Sequence, residues 1–298
     1  MTLAPRPFGR SGLSVSPLGL GAGEIGDAAI DDAEVDALLA AAVELGVTLI
    51  DTARSYGPSE DRIGRFVAGL DAATRDRVVL STKLGYGVPG VPDWTGDCVR
   101  LGVDAALGRL ATDRIDIVHL HSCPVDVLAR GDVIDALLEA RRAGKVRCAA
   151  YSGDNEALEW AAASGRFDAL QLSWNLCDQR AAAVIERAAA AGLGVIAKRP
   201  LANAPWRFTE RPVGHEAELY WERWQVLGFA AGELAPDELA VRFAAHHPGV
   251  SSAIAGTRRL AHLRHNAELV ARGPLPPLTA GLLRARFDAV GAGWPARI

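Results

Sequence analysis

The sequence predicts a (β/α)8 barrel preceded by a β-hairpin. Eight short apolar segments of strand type recur along the chain, and Ala- and Leu-rich segments with a helical period separate them. The strand segments are apolar on both faces, which is typical of a parallel sheet covered by helices. Eight such units fit a chain of 298 residues, because closed barrels of this type have roughly 200 to 400.

Each predicted element has a local signal. The segment RPFGRSGLSVSP predicts a hairpin that turns between Gly9 and Gly12. Helical segments such as DDAEVDALLAAAVELG begin with acidic residues and end near glycine, as helix start and stop signals require. The predicted strands cover residues 18–21, 47–53, 78–84, 115–121, 146–152, 169–174, 194–199 and 251–256.

An open, doubly wound sheet is the structural alternative. Such a sheet needs a glycine-rich turn for phosphate after an early strand. The segment GLGAGEIG contains the pattern GxGxxG. No strand that ends in an acidic residue follows about 20 residues later, however, as that fold requires. The barrel therefore explains the pattern better.

Composition and charge argue against several classes of protein. The net charge is −4 and acidic and basic residues are interspersed, which argues against a nucleic-acid surface. The four cysteines, Cys98, Cys123, Cys148 and Cys177, form no CxxC pair, so neither a disulfide framework nor a zinc knuckle is indicated. The N-terminus has no apolar signal segment, and no apolar stretch is long enough for a bilayer. We expect a soluble cytoplasmic protein without a membrane or nucleic-acid partner.

Polar side chains gather at the predicted carboxyl ends of the strands, where the active sites of such barrels lie. Asp51 and Tyr56 follow one strand, Lys83 ends the next, and His119 and His121 end the third. Buried charges are costly unless they are paired, and a cluster of this kind indicates a functional site more often than a structural ion pair. The later strand ends add Ser152, Gln171, Asn175, Lys198 and Arg199.

These residue types suit the reduction of a carbonyl group. A free tyrosine has a pKa of about 10, and a nearby ammonium group favours the phenolate form. Lys83 would supply this ammonium to Tyr56, and Asp51 would hold Lys83 charged and in place. A histidine near the phenol would orient the carbonyl oxygen. No side chain can supply a hydride, so the reaction needs a cofactor.

Four segments resemble the signature segments of the aldo-keto reductases: DTARSYGPSEDRIG, STKLG, DRIDIVHLH and GKVR. The resemblance runs from about residue 7 to about residue 270. It implies one barrel domain over residues 1–298 that binds NADPH without a Rossmann domain. It also implies a catalytic tetrad of Asp51, Tyr56 as general acid, Lys83 and His121, since His121 matches the family position and His119 does not.

The resemblance further implies a set of cofactor-binding residues. Ser152 and Gln171 would contact the nicotinamide amide, and Trp174 would stack on the nicotinamide ring. After the next strand come Arg199, Pro200 and Leu201, of which Arg199 would meet the pyrophosphate. The adenosine-phosphate segment would comprise Gly256, Thr257, Arg258, His262 and Asn266. Because Arg258 and Arg259 lie at the start of a predicted helix, where free N–H groups favour phosphate, we expect NADP(H) to be preferred, with NAD(H) possible.

Two other functions remain open from the sequence. His119 and His121 with Cys123 could ligate zinc in a metal-dependent hydrolase on the same barrel, although no His or Asp ends a late strand to complete the site. A non-catalytic barrel that binds nucleotide and senses redox state is the other alternative. For the reductase we expect a small-molecule carbonyl or alcohol substrate, with Tyr86 and Trp94 among the candidates for lining its cavity.

Overall fold

The computed structural model of the chain describes residues 2–229 and 234–297. Its strands are β1 Arg6–Pro7, β2 Ser14–Val15, β3 Leu18–Gly21, β4 Leu49–Asp51, β5 Val79–Leu84, β6 Ile115–His121, β7 Val146–Ser152, β8 Ala169–Ser173, β9 Gly194–Lys198 and β10 Ser252–Gly256. Strands β3 to β10 are parallel and form a closed barrel, in which β10 pairs with both β3 and β9. The predicted (β/α)8 barrel with an N-terminal hairpin is therefore confirmed.

Helices cover the outside of the barrel between successive strands. They are α1 Asp32–Glu44, α2 Ser59–Ala68, α3 Ala72–Arg75, α4 Gly96–Arg109, α5 Val125–Arg130, α6 Asp132–Arg142, α7 Asn155–Ala163, α8 Ala182–Ala190, α9 Glu218–Leu227, α10 Pro236–Ala245, α11 Leu260–Ala271 and α12 Pro277–Val290. Helix α1 begins where the Asp31 side chain accepts a hydrogen bond from the Ala33 amide, which satisfies a free N–H of the first turn. Within residues 2–229 and 234–297, no helix has the length and apolar composition needed to cross a membrane.

The predicted strand bounds agree with the observed ones to different degrees. The predicted strands 115–121 and 146–152 match β6 and β7 in full. The predicted strand 47–53 is longer than β4, Leu49–Asp51. The chain leaves the sheet there because it turns at Ala53, whose carbonyl accepts a hydrogen bond from the Tyr56 amide at 3.0 Å.

The N-terminal hairpin packs against the amino-terminal end of the barrel. Phe8, between its two strands, is fully buried. A Cβ on Gly194 would lie 2.5 Å from the Phe8 ring, so glycine is required where β9 begins against that ring. Leu13 and Val15 of the hairpin belong to the same buried cluster as residues inside the barrel. Apolar packing therefore covers this end, and the functional groups lie at the other.

Inward-facing residues change from apolar to polar along the strands. In β6, Ile117 belongs to the apolar cluster beneath the hairpin, whereas His119 and His121 follow on the same face nearer the carboxyl end. The intervening Val118 and Leu120 face outward and pack in the core between sheet and helices. The same change from apolar to polar occurs in β4, β5, β8 and β9. This gradient concentrates polar groups at the carboxyl end of the barrel.

Candidate active site

A buried ion pair lies at the carboxyl ends of β4 and β5. The Lys83 Nζ donates to Asp51 Oδ2 at 2.5 Å and to the Thr52 carbonyl at 2.8 Å, and both charged side chains are almost fully buried. Asp51 also accepts hydrogen bonds from Ser81 Oγ at 2.7 Å and from Gln171 Nε2 at 2.9 Å. The carboxylate is thus held by three side chains, which fixes the position of the ammonium group.

Both members of this pair are charged at neutral pH. Burial by itself would raise the pKa of Asp51, but the charge of Lys83 and the hydrogen bonds from Lys83 and Ser81 lower it overall. Burial would likewise lower the pKa of Lys83, yet the charge of Asp51 and the neighbouring Tyr56 raise it. The structure therefore holds a fixed ammonium ion in a low-dielectric environment.

Tyr56 lies above this ammonium group. The Lys83 Nζ is 5.1 Å from the centre of the Tyr56 ring, and the His121 ring approaches the phenol edge-on with centroids 6.2 Å apart. The loop that carries Tyr56 is tightly packed, since a Cβ on Gly26 would lie 2.0 Å from the Tyr56 carbonyl oxygen. The close approach of these two backbone segments fixes the phenol beside the cavity.

His121 is neutral in the folded protein. Burial and the positive charges of Lys83 and Lys198 lower its pKa to about 3. Its Nδ1 lies 2.6 Å from the hydroxyl of Tyr86, and the two rings stack with centroids 5.7 Å apart. The sequence indicated Tyr86 only as a residue that could line a cavity, because nothing local shows that its hydroxyl reaches a histidine 35 residues away.

His119 lies inside the barrel, further from the open end than His121. It is completely buried, and its Nε2 lies 3.1 Å from Ser81 Oγ, which in turn donates to Asp51. Burial lowers the pKa of His119 to about 4, so it is neutral as well. His119 therefore supports the hydrogen-bond network of Asp51 from below.

A large cavity opens at the carboxyl end of the barrel, with a volume of about 1260 Å³. Nearly all the predicted site residues line it: Asp51, Tyr56, Lys83, His121, Ser152, Gln171, Arg199, Pro200, Leu201, Gly256, Thr257, Arg258, His262 and Asn266. Ser152 and Gln171 line the cavity beside Asp51, to which Gln171 Nε2 donates, and Ser152 Oγ donates to Gln171 Oε1 at 2.9 Å. Cationic and polar groups line the side formed by β10 and α11. The lining thus combines amide-binding and phosphate-binding chemistry, which fits a nicotinamide dinucleotide.

Trp174 is the predicted site residue that the structure does not bring to the cavity. Its side chain is fully buried on the outer side of the barrel, where it stacks on Phe243 at 5.3 Å and contacts the edge of His247. Side chains alternate along a strand, and Gln171 faces inward, so a residue three positions later faces outward. The expected stacking of Trp174 on a nicotinamide ring is therefore not available in this structure.

Lys198 lines the same cavity. It is the last residue of β9 and its Nζ pairs with Asp154 Oδ2 at 2.8 Å. Asp154 is buried and also accepts hydrogen bonds from the amide and hydroxyl groups of Ser173. Burial lowers the pKa of Lys198 in spite of this partner. The sequence predicted Lys198 at a strand end, and its position two residues after the inward-facing Ile196 agrees with its place in the cavity lining.

Arg258 is held by two acidic residues of the segment after β3, the strand next to β10. Its backbone amide donates to Glu24 Oε2 at 3.1 Å, and its guanidinium lies 3.5 Å from Asp27 Oδ2. Both side chains of the Arg258–Asp27 pair are about half exposed. The sequence did not indicate Glu24 or Asp27, because they precede Arg258 by more than 200 residues and meet it only when the barrel closes.

Arg199 lies at the cavity in a left-handed backbone conformation with φ of 57°. Its guanidinium donates to the Arg297 carbonyl at 2.6 Å and lies 3.4 Å from Ser173 Oγ. The segment near the end of the described chain is also held by Arg223, which donates to the Pro295 carbonyl. Arg199 thus ties this segment to β8 and β9, a role that the sequence did not predict.

The residues suggested as zinc ligands do not converge. Within residues 2–229 and 234–297, no group of three or more His, Cys, Asp or Glu side chains has the geometry to hold a metal ion. Cys123 is buried, with its sulfur facing the Pro124 carbonyl. Burial raises the pKa of this thiol to about 12, which disfavours the thiolate that zinc binds.

The closed (β/α)8 barrel agrees with comparisons to known proteins. The model of the aldo/keto reductase family matches residues 17–283, so the chain belongs to this family.

Several relatives carry the names of enzymes that act on sugars. A D-threo-aldose 1-dehydrogenase from Pseudomonas sp. is 28% identical over 319 aligned residues, which cover 93% of this chain and 96% of that protein. A 6-dehydroglucose reductase from Novosphingobium aromaticivorans is 33% identical over 49% of this chain and 50% of that protein. An L-galactose dehydrogenase from Arabidopsis thaliana is 33% identical over 50% of this chain and 48% of that protein. The chain thus spans about half the length of the last two relatives.

Solved structures share the same architecture. A presumed aldo-keto reductase from Pseudomonas aeruginosa superposes with a TM-score of 0.72 at 33% identity, covering 91% of this chain and 96% of that one. The holo form of an aldo-keto reductase from Bacillus halodurans gives a TM-score of 0.80 at 22% identity, covering 95% of this chain and 96% of that one. The likeness at 22% identity shows the fold alone.

Proposed function

We propose that this protein is a nicotinamide-dependent oxidoreductase that interconverts a carbonyl compound and its alcohol, with Tyr56 as general acid and base. The observation that carries the proposal is the convergence of Tyr56, neutral His121 and the Lys83–Asp51 pair on one cavity. Membership of the aldo/keto reductase family and relatives named as reductases and dehydrogenases support it.

In the proposed reaction, each of these side chains has a distinct role. A nicotinamide in the cavity would supply the hydride for reduction or take it up in the reverse direction. Tyr56 donates its phenolic proton to the carbonyl oxygen, and the Lys83 ammonium stabilises the phenolate that remains. Asp51 keeps Lys83 protonated and immobile. His121 binds the carbonyl oxygen and orients it toward the phenol.

We propose that the cofactor is NADP(H), with NAD(H) also accepted. Ser152 and Gln171 would hold the nicotinamide amide, while Pro200 and Leu201 would line the dinucleotide. The adenosine phosphate would be held by Gly256, Thr257, Arg258, His262 and Asn266. Because Asp27 lies 3.5 Å from the Arg258 guanidinium, a phosphate must compete with this carboxylate, and we expect only a moderate preference for NADP(H).

A hydroxylated aldehyde or cyclic sugar is the substrate class that we propose. The relatives with reductase or dehydrogenase names act, by those names, on aldoses or sugar derivatives. The part of the cavity formed after β9 combines an aromatic surface, Trp206, with polar groups of Asn203, His215 and Glu216. Such a lining offers an apolar face for a sugar ring and hydrogen-bond partners for its hydroxyl groups.

We also propose that residues 1–298 act as one barrel domain in the cytoplasm. The early strand β3 pairs with the late strand β10, so the barrel joins residues from both halves of the chain. All four cysteines are free and buried, which suits a reducing compartment. Limited proteolysis would test the first statement, since a single unit should give no stable fragment, and cell fractionation would test the second.

The variant Tyr56→Phe tests the proposed function directly. With NADPH or NADH and a panel of aldoses, simple aldehydes and ketones, the wild type should turn over at least one substrate. Tyr56→Phe should lower kcat by roughly 10²–10⁴-fold, the range for loss of a general acid. Its cofactor dissociation constant should stay unchanged, because the phenol hydroxyl acts on the substrate. If the chemical step limits turnover of a substrate and this variant still turns it over at a near-normal rate, Tyr56 is not the general acid.

A further inference from the structure

Tyr86, in the loop after β5, contacts the histidine of the proposed site. Its hydroxyl lies 2.6 Å from His121 Nδ1 and 3.1 Å from Ser55 Oγ. We propose that Tyr86 is a positioning residue that holds His121 in the tautomer with its proton on Nε2, the nitrogen left free for the cavity. The catalytic part of this inference rests on the proposed carbonyl–alcohol reaction, whereas the tautomer itself does not.

The position of Tyr86 is well determined by its surroundings. Its ring stacks on His121 with an interplanar angle of 28° and meets the edge of Trp94 at 5.7 Å. The Trp94 amide donates to the Gly85 carbonyl at 2.8 Å, which closes the loop on itself. Arg54 Nε donates to the Gly87 carbonyl at 2.9 Å from the loop after β4. Because the ring of Tyr86 is packed and the backbone is hydrogen-bonded at both neighbouring residues, the hydroxyl is held in a fixed position relative to His121 Nδ1.

The acidities of the two groups identify the donor. The Tyr86 hydroxyl and His121 Nδ1 are 2.6 Å apart, which is within hydrogen-bond distance. A phenol is a stronger acid than the N–H of a neutral imidazole, so Tyr86 donates and Nδ1 accepts. Ser55 Oγ lies 3.1 Å from the phenol oxygen, and either hydroxyl of this pair can donate. Because the single phenol proton is directed at Nδ1, the Ser55 hydroxyl is the donor to the phenol oxygen.

The remaining ring proton must then be on Nε2. His121 is neutral near neutral pH, so only one of its two nitrogens carries a proton. With Nδ1 serving as an acceptor, Nε2–H is a donor and can bind a carbonyl oxygen. The opposite tautomer would present a bare nitrogen lone pair to that oxygen and could not orient it. The hydroxyl of Tyr86 therefore decides whether His121 can act as a hydrogen-bond donor.

Histidine ring ¹⁵N NMR of Tyr86→Phe tests this assignment without any substrate. The seven histidines can be ¹⁵N-labelled, and the His121→Asn variant identifies the signals of His121. In the wild type, Nε2 should be protonated and Nδ1 should be a hydrogen-bonded acceptor. In Tyr86→Phe, the Nδ1 signal should move toward that of a free or protonated nitrogen. The pKa of His121 should also rise, because its neutral form loses a hydrogen-bond donor.

The variant Tyr151→Phe is the matched control. Tyr151 packs in the core between the sheet and the helices, and its hydroxyl donates to the Cys123 carbonyl at 3.2 Å, so the substitution removes one phenol hydrogen bond from a residue that does not line the cavity. Its His121 signals should match those of the wild type. With an active substrate, Tyr86→Phe should lower kcat by roughly 3- to 30-fold, as for loss of one hydrogen bond, and leave cofactor affinity unchanged. Tyr151→Phe should leave kcat unchanged.

Two results would overturn the assignment. One is a wild-type His121 with its proton on Nδ1. The other is a Tyr86→Phe variant whose His121 nitrogen signals match those of the wild type. The expected NMR signature in a protein that turns over no carbonyl compound or alcohol would refute the proposed reaction while supporting the tautomer.

Discussion

Two lysine–aspartate pairs face the interior of the barrel, and they differ in the groups around them. Lys83 pairs with Asp51 at 2.5 Å and Lys198 pairs with Asp154 at 2.8 Å. Each lysine lies at the carboxyl end of a strand, and each carboxylate accepts further hydrogen bonds from neighbouring strands. The two pairs are similar in distance, but the Lys198 side chain is 17% exposed, whereas the Lys83 side chain is 2% exposed.

The pKa values of the two lysines shift in opposite directions because the groups around each ion pair differ. Burial lowers the pKa of both lysines, but Asp51 and the phenol of Tyr56 outweigh this effect at Lys83 and raise its pKa. At Lys198 burial prevails over Asp154, and the positive charges of Arg199 and Lys83 lower the pKa further. The difference shows that the local sum of charges, and not the ion pair alone, sets the charge on a buried lysine.

We expect the largest effect to be the difference in kcat between variants of the two lysines. Lys83→Met should lower kcat by roughly 10²–10⁴-fold, because Tyr56 loses the charge that stabilises its phenolate. Lys198→Met should lower kcat by about tenfold at most, since Lys198 contacts no member of the proposed tetrad. Steady-state kinetics of both variants, with circular dichroism to verify folding, would decide. Equal losses would show that the two pairs have the same role.

A half-exposed ion pair, Arg258–Asp27, extends the comparison to the surface. Arg258→Ala should weaken NADPH binding by roughly 10- to 100-fold, because a charge-assisted hydrogen bond to phosphate is lost, and should leave NADH binding nearly unchanged. Asp27→Asn is the complementary variant and should tighten NADPH by about 2- to 5-fold, since a screened carboxylate competes weakly.

Quenching of tryptophan fluorescence by each cofactor measures both variants on the same scale. NADH serves as the internal control, because it lacks the 2′-phosphate. Equal losses of NADPH and NADH affinity in Arg258→Ala would show that this side chain does not bind the 2′-phosphate. A wild type that binds NADH more tightly would refute the proposed preference for NADP(H).

The smallest expected effect is a difference in the pH at which the side chains of Lys83 and Lys198 lose a proton. The chain contains three lysines, Lys83, Lys145 and Lys198, so ¹⁵N NMR of lysine-labelled protein gives three side-chain signals. Lys198 should lose its proton at lower pH than Lys83, with the surface residue Lys145 as the control signal. The reverse order for Lys83 and Lys198 would contradict the comparison.

The same order of titration predicts opposite effects on stability. Lys198 has a lowered pKa in the folded state, so the unfolded chain binds more protons and the free energy of unfolding rises as pH increases through that pKa. Lys83 has a raised pKa, so its stabilising contribution is present at neutral pH and is lost as pH rises through the folded value. Urea unfolding of Lys198→Met and the wild type at alkaline pH would show the first effect.

Much of the fold could be predicted because its signals are local. The bounds of β6 and β7 match the prediction at both ends. A run of apolar residues between turn residues indicates a strand that is buried on both faces. The proximity of Asp51 and Lys83 also followed from the sequence, because adjacent parallel strands bring their carboxyl ends together. The direction of Trp174 was derivable from strand alternation but was predicted incorrectly from resemblance to an aromatic position.

The sequence by itself therefore determined the barrel and the residues that end its strands, because hydrophobic period and strand length depend on neighbouring residues. Apart from the pairing of Asp51 with Lys83, only the tertiary structure decided the partners of these residues. Tyr86 reaches His121, Asp154 pairs with Lys198, and Asp27 faces Arg258 across 231 positions of the chain. Each contact depends on the angle at which a loop leaves the closed barrel. That angle results from packing between distant segments, which no local pattern records.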